Sequence, residues 1–415
     1  MFLVVAAFII ASAVCYLFLR RAVSNFGDPL IFVDMAIPFS AALLTFLCIS
    51  NLVSWDKLGL FTLVTVVFFV GGRIATAFFS REEFRQALER TVSRLSRPEI
   101  YCILIVSTGI TLVLSHFAIE TGGQGDNRQE FNRAFRPIVT LNGGFSLFSL
   151  LALLSPKLSK KEVFIWFILQ TVPSIAFSGK SILLPVFFWF GLKFFVNKKR
   201  ASLATIAILI LGLFLGVGMM GLIAYGASES ADIFLLIAGR LWLAGDVYIY
   251  AYQRNGLEMA QGDYHVSFLA YMLHPITALV GIRGYDRPLG AMLASETLHT
   301  PVLTGPNPHL PVLLDFFFPG QFLAIVLISL IIGFMVIGIR AFGIYLAKSR
   351  SRYLALGGVA AAVYCPAFGF NDTSLSLITL IGILAATSCC VVLEMLFPRR
   401  LQRASAVRAS PMLGD

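Results

Sequence analysis

Two segments decide how this chain is read: DIFLLIAGRLWLAGDVYIYAYQRNG (Asp232–Gly256) and LTGPNPHLPVLLDFFFPG (Leu303–Gly320). Both lie in the one long stretch, about Ala227 to Phe318, that does not read as membrane-spanning helix. That stretch holds four of the five histidines (His265, His274, His299, His309), Arg240, Arg254, Arg283, Arg287 and eight carboxylates, and it contains no lysine. Around it the 415 residues are 58% hydrophobic and 13% charged, about half the charge of an ordinary soluble domain. Apolar runs of ~20 residues recur along nearly the whole length, which marks a polytopic membrane protein. The composition therefore implies an all-α fold: one integral membrane domain over 1–415, with 227–318 as a large loop at one membrane face.

The spans fall at about 2–19, 30–52, 58–79, 100–118, 138–154, 202–225, 321–339, 355–370 and 374–396. Residues 163–196 carry basic clusters at both ends. They read either as a hairpin of two short spans with Ser178-Gly179-Lys180 at its tip, or as one tilted helix with Lys180 at mid-membrane, a costly place for a charge. The hairpin gives about eleven spans. Loop charges then orient the chain: with the C-terminus inside, 22 of the 32 basic residues lie on the cytoplasmic side, 23 counting Arg73, and nine outside, seven of them arginines. The net charge of +10 thus reflects short cytoplasmic loops, and nucleic acid is not an expected partner. The large loop faces the periplasm of an inner membrane, where no ATP or nucleotide-sugar chemistry is at hand. The six cysteines all lie in apolar segments, so neither a structural disulfide nor a zinc site is expected. The first apolar stretch lacks a basic leader and reads as a retained helix. Residues 81–98, with five arginines, read as a basic loop.

Within the outer stretch, a helix over 232–256 would put Arg240 and Arg254 within about 40° of each other but roughly 21 Å apart, able to hold two points of a long ligand. Tyr248 and Tyr252 would form a stripe beside them, suited to stacking on sugar rings. Tyr248, Tyr250 and Tyr252 also alternate with a strand period. The plainer alternative is an interfacial segment whose Arg and Tyr face lipid headgroups. IRGYDRPLG (282–290) reads as a turn offering Arg283 and Arg287 to an anion, or salt-bridging them to Asp286. In the closing segment, Pro306, Pro308 and Pro311 fix the backbone around His309, six residues before Asp315. His309 can accept a proton near neutral pH, or simply cap a helix. Asp315 and Asp246 are the alternative bases. Arg128, Arg133, Arg136 and Lys180 are further outer cations.

A multi-span plan with one late outer loop, an arginine-bearing segment and a closing turn TGPNPHLPVLLDFFFPG resembles the Wzy-type O-antigen polymerases. The motif-like content lies around His309 and, more loosely, at Ser178-Gly179-Lys180 and Arg240–Asp246. The resemblance implies a C-type glycosyltransferase architecture and no cofactor. It implies undecaprenyl-diphosphate-linked glycan as donor and acceptor, and membrane lipid and a chain-length regulator as partners. The acceptor hydroxyl would attack the donor's anomeric carbon, with lipid diphosphate leaving. Fixed cations would stabilise the leaving group and a base would take the proton. An O-antigen ligase of the same architecture and a glycan transporter are the rival expectations. A lipid-phosphate-sugar glycosyltransferase would need an acidic pair in its first outer loop, where Ser54–Lys57 offers only Asp56.

Overall fold

The computed structural model describes residues 2–20, 31–122, 131–132, 134–178, 189, 191–193, 196, 245–253, 256–263, 265–282, 287–299, 306–370 and 372–396. Arg128, Arg133, Lys180, Arg240, Arg254 and Arg283, and the whole span expected at 202–225, lie outside the described residues. Those that are described form helices joined by turns, with no strand among them. The long elements are α1 (Phe2–Leu19), α2 (Ile31–Ile49), α3 (Trp55–Ala75), α4 (Arg81–Arg94), α5 (Arg97–Glu120), α6 (Arg136–Ala152) and α7 (Lys160–Ser178). In the outer stretch follow α8 (Gly256–Asp263), α9 (Phe268–Thr277), α10 (Leu289–Leu298) and α11 (Leu310–Phe317), and then α12 (Phe322–Leu346), α13 (Arg352–Tyr364) and α14 (Thr373–Leu396). Four stretches are long and apolar enough to cross a membrane: Trp55–Phe78, Arg97–Glu120, Phe322–Leu346 and Thr373–Met395. The protein is a helical membrane protein.

Small residues bring these helices together. A Cβ on Gly71 or Gly333 would overlap backbone of the facing helix, at Leu330 and Phe68 respectively, so α3 and α12 touch main chain to main chain. Gly144 and Gly382 do the same for α6 and α14, and Gly343 and Gly358 for α12 and α13. Inside a bilayer no hydrophobic force separates protein from lipid, and close approach through glycine is how spans gain packing energy. Gly333→Ala should cost about 1–3 kcal/mol by overpacking, read as a lower unfolding midpoint in detergent. Gly109→Ala, with nothing within 4 Å of the added methyl, should not lower it.

The polar ties between segments sort into two sets. At one end of the bundle Arg97 pairs with Glu162 at 2.6 Å, Arg352 with Glu99 at 2.7 Å, and the Ser351 hydroxyl donates to Glu394 at 2.7 Å. Arg94 donates to the carbonyls of Ser349 and Arg350, and Lys157 to that of Ser93. At the other end Lys57 pairs with Asp315, Arg136 meets His274, and the Leu310 amide donates to the Phe370 carbonyl. The expected basic loop at 81–98 is mostly α4. Ser80 and Glu83 cap it reciprocally, and Phe84, Ala87, Leu88, Thr91 and Val92 turn inward. Arg340, fully buried, lies with its guanidinium 4.7 Å from the Phe84 ring centre and donates to the Ala362 carbonyl at 3.0 Å. It thereby holds α4 against the bundle.

The Trp189 ring lies 5.3 Å from that of Phe167 of α7, tilted by 43°. The described residues between 245 and 318 form short helices joined by turns. Gly281 closes α9's three-ten extension with φ +80°, and Pro288 opens α10. All six cysteines are free thiols.

Candidate functional site

Proline shapes the closing segment. His309 has extended backbone just before α11, Pro311 sits in the first turn of that helix, and the tie from Leu310 to Phe370 (2.9 Å) fixes where it starts. The Gln261 side chain donates to the Phe316 carbonyl at 2.9 Å and holds its other end. Residues Leu310 to Phe316 are all buried, and Asp315 among them is 7% exposed. A carboxylate so placed needs a partner. Lys57, in the first turn of α3, supplies it, with Nζ 2.7 Å from Asp315 Oδ2. The Asp315 side chain is 10% exposed and that of Lys57 32%, so the lysine is the open side of the pair.

The tyrosines come to the same place. Asp246–Tyr248 forms one helical turn that widens into a π turn at Ile249–Gln253. The alternating strand period is therefore overridden: Tyr248 and Tyr252, four apart, share a face with ring centres 6.1 Å apart. The turn seats tightly because Gly245 faces Ser40 of α2, where a Cβ would lie 3.1 Å from the serine. The Thr297 hydroxyl donates to the Tyr250 carbonyl at 3.1 Å, satisfying a backbone group in the widened turn. Both tyrosines are buried in protein, Tyr248 completely, and do not face lipid headgroups. The Lys57 ammonium lies 5.0 Å from the Tyr252 ring centre. Burial, and next the Asp315 carboxylate, push the Tyr252 phenol up; burial alone does so for Tyr248.

His309 packs edge-on against Tyr248 at 5.5 Å and beside Phe370 at 6.3 Å. It occupies the position before α11 but its side chain caps nothing, and its Nδ1 is buried without a hydrogen-bond partner. Burial pushes the imidazole down to about 4. It is neutral at physiological pH, as a base must be. Its affinity for a proton, however, is no greater than that of an ordinary carboxylate.

The structure thus brings Tyr248, Tyr252, His309 and Asp315 into one cluster with Lys57. Arg136 contacts His274 Nε2 at 3.2 Å instead, Arg287 is exposed, and Asp246 is half-buried at the start of the π turn. Lys57 is the participant that sequence reasoning passed over. Its one signal is that it and Lys180 are the only lysines among the nine basic residues that the expected topology places outside. No family model matches the chain, and neither the curated proteins nor the solved structures searched contain a match.

Proposed function

We propose that the protein is an inner-membrane glycosyltransferase that joins undecaprenyl-diphosphate-linked oligosaccharide repeat units at the periplasmic face, building O-antigen or a related surface polysaccharide. The observation that supports this reading most is the Lys57–Asp315 pair, because it offers both functions the transfer needs at one point. In the resting protein the two charges neutralise each other. A lipid diphosphate arriving from the outer side meets Lys57 first and competes for it. The cation then stabilises the charge that develops as the bond from anomeric carbon to diphosphate oxygen breaks. Asp315, released from its partner, accepts the proton of the attacking hydroxyl as the new glycosidic bond forms. Tyr252 lies against both groups and positions them; Tyr248 and His309 wall the cluster on the protein side. Arg283, Arg287 and Arg240, with Arg128, Arg133, Arg136 and Lys180, are the outer cations available to the rest of the glycan-diphosphate. About eleven spans, with a hairpin tip at Lys180, complete the proposed topology.

The test is reconstitution. Purified protein given lipid-linked repeat units should yield a ladder of longer chains still attached to undecaprenyl diphosphate. Transfer of the glycan onto lipid A–core instead would make it a ligase, and no product with either acceptor would remove the enzyme reading. For the topology, a cysteine at position 180 in a background without the native ones should react with a periplasmic label, while cysteines at 161 and 198 should not. Labelling at 198 from outside would overturn the hairpin.

A further inference from the structure

The helix α9 and its three-ten extension, Phe268–Val280, is apolar but too short to cross a membrane. Thirteen residues reach roughly 20 Å against a hydrocarbon core of about 30 Å. Its two faces are treated oppositely. Tyr271, His274 and Pro275 are buried, and the helix packs against α14, one of the membrane-crossing helices. On the outward side Leu269 is 66% exposed, Leu273 39%, Ile276 45% and Val280 72%. Spaced by four, three and four residues, they form one stripe within about 60° of arc. An apolar stripe of this kind facing water is rare in a monomeric protein and marks a surface that something covers.

We infer that this stripe is a lipid-docking surface, buried in the acyl chains of the outer leaflet, and that Phe268–Val280 lies in the membrane interface rather than in the periplasm. Depth is fixed by what the helix touches. His274 meets the guanidinium of Arg136, the first residue of α6, at 3.2 Å, and the three-ten extension packs on α6 itself. The helix therefore lies against α14 and beside the Arg136 end of α6, where a span gives way to headgroups. The polar side matches that depth as well. Arg136 is half-buried where it meets His274, and Arg287, seven residues beyond Val280, is exposed, placements that suit arginines at the headgroup level. A helix with one face on protein and the other in acyl chains leaves no apolar side in water.

This inference rests on the membrane reading and the proposed orientation, and stands whether or not the chain transfers sugars. Single cysteines at Leu273, Val280 and Arg287, in the full-length protein without its native cysteines, are spin-labelled and placed in nanodiscs of phosphatidylethanolamine and phosphatidylglycerol. Collision with oxygen, which concentrates in lipid, should exceed collision with a water-soluble nickel chelate several-fold at 273 and 280, and the order should reverse at 287. High nickel accessibility at 273 and 280 would put the stripe in water and overturn the inference. Low accessibility to both reagents would mean that protein, a second copy or another partner, covers it, and would overturn it equally. A label at position 271, on the packed face, supplies the value expected for protein contact.

Discussion

Asp315→Asn, assayed with lipid-linked repeat units, is expected to polymerise roughly 100- to 10,000-fold more slowly than the parent, the range that a positioned general base contributes. The substitution keeps the shape of the side chain and removes its charge, and with it its ability to take a proton. A fall in rate could also come from a damaged fold, because removing one member of a buried pair leaves the other charge uncompensated, at about 3–5 kcal/mol in a fully buried site. The cost here is smaller, since the Lys57 side chain is 32% exposed and can turn to solvent. Two measurements separate the effects. Lys57→Met with Asp315→Leu removes both charges and should recover the parental unfolding midpoint, because a buried ion pair is often replaceable by apolar residues. It should stay inactive. Lys57→Met alone should lose rate through the leaving group, so added salt, which screens anion attraction in the parent, should matter little in that variant. Parental rates from Asp315→Asn would sink the assignment of the base.

The membrane class was readable from hydropathy because spans are long and locally encoded: 58–79, 100–118 and 374–396 each match a helix long and apolar enough to cross within three residues at either end, and 321–339 matches one that runs seven residues further, to Leu346. The outer stretch was less legible for a physical reason. Its helices are eight to ten residues long, below the length at which a hydrophobic period declares itself, and they exist because tertiary contacts such as Leu310 with Phe370 and Gln261 with Phe316 hold them. The tyrosine run shows the same limit. Its alternation obeys a strand pattern, while packing on Phe61 and His309 selects a π turn. His309 and Asp315 could be nominated from proline spacing alone, but their order as bases depends on burial, which a sequence does not display. Lys57 lay 258 residues from its partner, and no local pattern could join them.

Burial makes His309 a liability in acid, and that liability is measurable. An exposed histidine titrates near 6.5, whereas the folded protein holds this imidazole down to about 4. Between those values the unfolded chain binds a proton that the folded one refuses, so stability falls as pH falls. The contribution is intact above about 6.5, and the loss is complete once the pH drops through about 4, at about 3 kcal/mol in all. By pH 5 some 2 kcal/mol should already be gone. His309→Gln keeps a polar planar side chain that does not titrate. Its unfolding midpoint should therefore change less between pH 7.5 and pH 5 than that of the parent, whatever its midpoint at pH 7.5. The same variant reads out the histidine's role in transfer. If His309 positions Tyr248 and the start of α11 without touching the substrate, His309→Gln should retain most of the polymerising rate at pH 7.5 while Asp315→Asn does not. A parental acid sensitivity in His309→Gln would show that the imidazole is not held neutral in the core. Loss of polymerisation in His309→Gln together with a parental rate in Asp315→Asn would return the base to the histidine.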